Sequence, residues 1–282
     1  MGKRIIVSIS SDIGLALAKD WLAAGHEVIG TYRSASPELD EISDLGATLV
    51  RADLADGASV TLACNELLGI CNDWDTVVIA PGLQDPVSMF AECDFGEWAS
   101  SIAVNFTAPL QILHALFPLR NEPQKNETSV VFFAGGGTNN ATVRYSAYTI
   151  AKIASIKICE LLDAEIEDMK FTIIGPGWVK TKIHESTLAA KERAGDNYEK
   201  TLQKLDSDEC VPIGQVVKCV NWVIATPRNA VGGRNISLVY DDWGNPELDR
   251  KLSKDPDMYK LRRRGNDVLL RAVPISGKSE TA

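Results

Sequence analysis

Arg4-Ile5-Ile6-Val7-Ser8-Ile9-Ser10-Ser11-Asp12-Ile13-Gly14 passes from a short β-branched apolar run through a turn of serines into helical spacing. Leu15-Ala16-Leu17-Ala18 and Trp21-Leu22 continue that spacing up to Gly25, a helix stop. The run predicts a first strand over residues 4–9. A strand that turns directly into a helix aims backbone N–H groups and the positive helix end at one spot, which suits a pyrophosphate. With one glycine, the stretch also fits an ordinary turn capped by Ser10, Ser11 or Asp12. The rest of the chain decides between the two.

Further apolar runs predict strands at 27–32, 47–51, 76–80, 129–133, 171–174 and 235–240. Helices are expected at about 37–45, 57–68, 95–117, 145–168 and 213–225. Short, fully apolar strands alternating with helices imply parallel strands buried on both faces. Right-handed crossovers then give an α/β fold, a Rossmann-like doubly wound parallel sheet in a single domain over residues 1–244. The polar stretch 182–210 reads as a substrate lid of one or two mobile helices. Residues 245–282, with Arg262-Arg263-Arg264, form a charged C-terminal extension read as a solvated tail.

Composition narrows the function. Of 282 residues, 45% are hydrophobic, ample for a buried core, and 29 Lys+Arg against 38 Asp+Glu give a net charge of −9. That balance argues against a nucleic-acid or anionic-membrane partner. No apolar run reaches the roughly 18 residues of a membrane span, and Asp12 interrupts the N-terminal run too early for a signal peptide. Six cysteines without a C-x-x-C pair, and three isolated histidines, predict no metal site and no disulfide framework, hence a reducing, cytoplasmic setting.

Three stretches point to chemistry. Asp53-Leu54 follows the third strand, where the carboxylate can accept from an adenine amino group or cap the next helix. The second strand ends in Thr31-Tyr32-Arg33-Ser34, without the acidic residue that holds an NAD ribose 2′-OH. Arg33 and Ser34 instead suit a 2′-phosphate, so NADP(H) is favoured over NAD(H). Tyr148-Thr149-Ile150-Ala151-Lys152 lies on a helix, so Tyr148 and Lys152 share a face. A neighbouring ammonium lowers a phenol pKa from about 10 toward neutrality. Such a tyrosine can exchange the proton of a carbonyl/alcohol pair while a nicotinamide moves the hydride. The pair also fits a buried tyrosine beside an exposed lysine.

The ordered set of the turn at 8–14, Asp53, Asn105, Tyr148-x-x-x-Lys152 and Pro176-Gly177-x-x-x-Thr181 resembles the short-chain dehydrogenase/reductase superfamily in its compact form, over about residues 4–240. The resemblance implies seven strands in the order 3-2-1-4-5-6-7. It implies that Tyr148 is the general acid/base, that Lys152 binds the nicotinamide ribose and lowers the Tyr148 pKa, and that Asn105 supports a water-mediated proton relay. Ser8, Ser10, Ser11, Asp12, Ile13, Gly14, Asp53, Leu54 and Gly82 would contact the cofactor; Pro176, Gly177 and Val179 would shape the nicotinamide pocket, and Thr181 would contact the carboxamide. Helices at about 95–117 and 145–168 resemble those through which members form homodimers and homotetramers.

The departures are equally specific. Ser8 and Asp12 replace glycines of the family turn, where a side chain at position 8 could crowd the pyrophosphate, and Ile79-Ala80-Pro81-Gly82 keeps only the glycine of N-N-A-G. The family's catalytic serine, thirteen residues before the tyrosine, is Gly135. Gly135-Gly136-Gly137 then means loss of catalysis, compensation by Thr138, Asn139 or a loop N–H as carbonyl donor, or room for a bulky substrate. Under compensation, Thr138→Ala is expected to be more harmful than Gly135→Ser. The retained Asn105, Tyr148, Lys152 and Thr181 favour an active enzyme. The reading is an NAD(P)-dependent oxidoreductase interconverting a secondary alcohol and a carbonyl in a small-molecule substrate. Alternatives are a nucleotide-sugar epimerase or dehydratase, suggested by the three-residue spacing of 8, 11 and 14 and by Asp53-Leu54-Ala55-Asp56, or a non-catalytic NADP-binding, redox-sensing module. Trp243, after the last strand, could stack on a sugar or anchor the C-terminal packing.

Overall fold

Each apolar run becomes a strand whose neighbours are parallel: β1 (Lys3–Val7), β2 (Glu27–Tyr32), β3 (Thr48–Arg51), β4 (Thr76–Ile79), β5 (Thr128–Phe133), β6 (Met169–Gly175) and β7 (Asn235–Ser237). The computed structural model describes residues 2–121 and 128–263. Its sheet runs β3-β2-β1-β4-β5-β6-β7, the expected order. Every residue of β4 and β5 is buried, as central strands covered on both faces require.

The helices are α1 (Asp12–Ala23), α2 (Pro37–Asp44), α3 (Gly57–Ile70), α4 (Phe95–Ile102), α5 (Ala108–Leu116), α6 (Ser146–Glu165), α7 (Glu185–Ala190), α8 (Asp196–Asp206), α9 (Ile213–Ala225), α10 (Arg228–Val231) and α11 (Pro246–Lys254). One sheet face packs Leu67, Ile112, Leu116 and Ile156 from α3, α5 and α6; the other packs Leu17, Trp21, Ile42 and Val220 from α1, α2 and α9. The strand order reverses between β1 and β4, so a crevice opens beyond their carboxyl ends.

Three expectations are corrected. The helix over 95–117 is broken by a π-turn at Ala103–Thr107, where Ala108 N–H bonds the Ala103 carbonyl. Pro109 is the local cause: it has no N–H for the Asn105 carbonyl four residues back. The last strand stops at Ser237, because the Asp241 carboxylate takes the Ser237 N–H at 2.6 Å.

The third correction concerns the solvated tail. Leu248 and Leu252, four apart on α11, pack against Ile236, Trp222 and Trp243. Arg234, only 4% exposed, donates to the carbonyls of Leu252, Asp255 and Met258, and Asn235 N–H donates to the Tyr259 carbonyl. Arg262 pairs with Glu160 of α6 at 2.8 Å and with Asp257 at 2.7 Å. Residues 246–262 thus cover the β7 edge, and the charge run conceals an amphipathic helix. Arg264 and the rest of the extension lie outside the described residues.

Candidate active site

The turn after β1 is held to β2: Ser8 N–H donates to Thr31 Oγ1 at 3.0 Å and Ile9 N–H to the Thr31 carbonyl at 2.8 Å. Ser8 sits at φ 67°, in the left-handed region that favours glycine. Ser11, not Ser10 or Asp12, caps α1 by accepting from Gly14 N–H at 3.0 Å. A Cβ on Gly14 would lie 2.7 Å from the Ser8 carbonyl oxygen, so only glycine lets α1 approach the turn. Gly14 therefore acts through packing, while Ser8, Ser10, Ser11, Asp12 and Ile13 line the cleft. The Asp12 carboxylate accepts from Lys182 N–H at 2.8 Å, tying α1 to the segment after β6. Ser8→Gly is expected to stabilise the protein by about 1 kcal/mol through relief of the left-handed strain. Urea unfolding measures this; a less stable variant would show that the serine side chain contributes more than its backbone costs.

The cleft has a volume of about 1460 Å³ and runs from Arg33, Asp53 and Leu54 past Gly82 to Tyr148, Lys152, Pro176, Gly177, Val179 and Thr181. Arg33 makes no hydrogen bond or ion pair among the described residues, so its guanidinium is available to a ligand. Ser34 does not line the cleft. Asp53 accepts from Ala55 N–H at 3.0 Å, and Asp56 caps α3, which removes the capping alternative for Asp53. A turn that only glycine allows at position 14, an unpaired arginine after β2 and a lysine on the floor together fit a dinucleotide.

At the other end, Lys152 is 4% exposed and donates through Nζ to the Pro81 carbonyl at 2.9 Å. Burial brings its pKa down to about 8. Burial pushes the Tyr148 phenol up to about 12, with the lysine Nζ 5.8 Å from the ring centre. The expected lowering of the Tyr148 pKa is thus corrected: the amine is turned toward Pro81, and desolvation dominates both groups. Asn105, 2% exposed, is outside the cleft wall. Its amide donates to the carbonyls of Leu83 and Ser101 and accepts from Leu83 N–H at 2.9 Å, so the side chain is a positioning group for the loop that holds Pro81 and Gly82. A Cβ on Gly135 would lie 2.7 Å from the Tyr148 hydroxyl and 2.8 Å from Lys152 Cγ. The room left by the missing side chain is occupied by Tyr148. Thr138, Asn139 and Thr142 line the cleft beyond it.

Sequence reasoning missed the groups that hold α7 over the cleft. Tyr145 donates to Thr187 Oγ1 at 2.7 Å, Thr187 donates to Gln84 Oε1 at 2.9 Å, and Ser186 donates to Asp85 at 2.5 Å. Gln84, Asp85 and Thr187 lie in no motif; Trp178 lies inside Pro176-Gly177-x-x-x-Thr181 and stacks on His184 at 4.2 Å. Trp243 anchors packing instead: it donates to the Leu238 carbonyl and sits 6.0 Å from Trp222, away from the cleft wall.

A switch-point crevice with a cradle after β1 and a Tyr-Lys pair on its floor defines a nucleotide-dependent oxidoreductase of the doubly wound class. Residues 4–192 match the short chain dehydrogenase family, and the chain belongs to that family of NAD(P)-dependent oxidoreductases. It is 24% identical over 237 residues to a serine 3-dehydrogenase of Rhizobium radiobacter, covering 81% of this chain and 90% of the relative. It is 24% identical over 187 residues to an uncharacterised oxidoreductase of Schizosaccharomyces pombe, covering 64% and 72%. Among solved structures, the KRED1-Pglu enzyme superposes with a TM-score of 0.73 at 20% identity, covering 84% of this chain and 100% of that one. A variant of actinorhodin polyketide ketoreductase with NADPH gives 0.70 at 18%, covering 86% and 97%.

Proposed function

We propose that this enzyme is an NADPH-dependent reductase of a small polar carbonyl compound, with Tyr148 as proton donor. The observation that supports this most is Tyr148 and Lys152 on the cleft floor, at the opposite end from an unpaired Arg33. NADPH, when bound, supplies the hydride to the carbonyl carbon. The oxygen left negative takes the Tyr148 proton, and a phenol with a pKa near 12 is fully protonated at neutral pH. With a nicotinamide ribose bound, Lys152 would exchange the Pro81 carbonyl for the ribose hydroxyls and bring its charge beside the phenol. Thr138 polarises the carbonyl in place of the absent serine at Gly135, and Asn105 holds the 81–84 loop. Ser8, Ser10 and Ile13 would hold the pyrophosphate, Pro176, Gly177 and Val179 would border the nicotinamide, and Thr181 would meet its carboxamide, all of them lining the cleft. The likeness to serine 3-dehydrogenases favours a polar hydroxy compound as the product.

Assembly and location extend the proposal. Phe95 on α4 and Ile150 and Leu161 on α6 are exposed and apolar, which supports a homodimer through these helices. Free cysteines support a cytoplasmic setting.

The cofactor preference supplies the test. NADPH is expected to bind at least tenfold tighter than NADH in fluorescence titration, since a charge-assisted pair with the 2′-phosphate contributes about 1.5–3 kcal/mol. Arg33→Ala is expected to erase most of that difference while leaving NADH affinity nearly unchanged. Equal affinities in the parent enzyme would overturn the NADP assignment.

A further inference from the structure

Helix α8 sorts its charges across its axis. Asn197, Lys200, Thr201 and Lys204 recur at the spacing of one helical face, and all four line the cleft. Asp196, Glu199 and Asp206 do not. In a chain of net charge −9, the cleft wall presents seven Lys and Arg against five Asp and Glu among the described residues. Four of those five carboxylates, Asp12, Asp53, Asp85 and Asp241, already accept a hydrogen bond from within the chain.

The start of α8 is held beside the catalytic helix. Asn197 donates to the Val143 carbonyl at 3.2 Å, Arg144 donates to the Arg193 carbonyl at 2.9 Å, and Tyr145 packs with Ala190 and Ala194. These contacts lie three to five residues before Tyr148 in the chain. One turn into α8, two groups are left without partners. Lys200 makes no ion pair or hydrogen bond among the described residues, whereas Lys204 is paired with Glu209 at 2.5 Å. Thr201 is 3% exposed, lines the cleft, and its hydroxyl has no hydrogen-bond partner among the described residues. Two neighbouring residues of one cleft wall, an ammonium and a hydroxyl both without partners among the described residues, form an incomplete donor set.

We infer that Lys200 and Thr201 recognise a carboxylate on the substrate, so that the enzyme reduces oxo acids in preference to neutral carbonyl compounds. The inference rests on the reductase reading above. One compact ammonium and one hydroxyl match the two oxygens of a carboxylate; a phosphate dianion calls for a larger set of donors.

The test compares 3-oxobutanoate, its methyl ester and hydroxyacetone phosphate as substrates with NADPH. The acid is expected to have the highest kcat/KM of the three. Lys200→Gln is expected to raise KM for the acid about tenfold, as loss of a charged hydrogen bond at a partly exposed site does, with kcat nearly unchanged. The ester should be unaffected by the substitution, and Lys200→Arg should recover most of the loss. Thr201→Val is expected to act in the same direction. Equal use of acid and ester, equal loss on both in Lys200→Gln, or preference for the phosphate would overturn the carboxylate assignment. If none of the three consumes NADPH, the reductase reading fails for this panel. Malonate titration followed by Trp178 fluorescence then decides the anion site by itself: weaker binding in Lys200→Gln supports it, and unchanged binding overturns it.

Discussion

Tyr148→Phe is expected to lower turnover by about 10²–10⁴-fold, the range a positioned general acid contributes. NADPH affinity should stay close to that of the parent, because only the phenol oxygen is removed and the ring still fills the space beside Gly135. Single-turnover NADPH oxidation with an identified substrate separates the two quantities. Turnover at the parental rate would show that another group supplies the proton. The Tyr148 phenol, near 12, is fully protonated at neutral pH but is a weak acid, so proton donation is expected to need a cation brought beside it to lower that value. Burial brings Lys152 to about 8, so its charge is expected to be lost as pH rises through that value, and turnover should fall with it.

The second large effect is expected from Gly135→Ser. Reasoning from sequence alone, a restored serine helps a decayed site and does little or hurts in a compensated one, where it intrudes on substrate or Thr138. The structure shows that the intrusion falls on the Tyr-Lys pair instead. The new Cβ would stand 2.7 Å from the Tyr148 hydroxyl and 2.8 Å from Lys152 Cγ, closer than carbon atoms approach either group. Tyr148 must move by several tenths of an ångström or more, and misplacement by about 1 Å costs on the order of a hundredfold in rate. A drop in kcat/KM near that size is expected, larger than that of Thr138→Ala, which reverses the ranking drawn from the sequence. Near-ultraviolet circular dichroism checks that the fold is intact. A serine variant as active as the parent would show that Tyr148 relaxes freely and that Gly135 has no positioning role.

Much of this site is legible in one dimension because it depends on periodicity. Short, fully apolar runs place the strands, spacing of period 3.6 places the helices, and the four-residue separation of Tyr148 and Lys152 puts both on one face. The absence of an acid after β2 is likewise a local fact. Asn105 could be singled out, yet its work could not. Its amide is committed to Leu83 and Ser101, and the π-turn around it follows from Pro109, a proline that periodicity reads as an ordinary helical position. The charged extension was misread for a similar reason: Leu248 and Leu252 are a sparse apolar stripe among charges, and they matter only because β7 leaves an edge for them to cover.

The sequence by itself determined the order of elements, the doubly wound class, and the placing of Tyr148 and Lys152 on one helix face, since each rests on residues close together in the chain. Tertiary structure alone decided what surrounds that pair. Lys152 meets the Pro81 carbonyl 71 residues away, and Thr187 meets Gln84 across 103. The pKa values of Tyr148 and Lys152 move in the directions that desolvation dictates, and desolvation is a property of packing, not of spacing. The fate of the space at Gly135 is of the same kind: a missing side chain is written in the sequence, but what fills the gap is settled by the helix that packs against it.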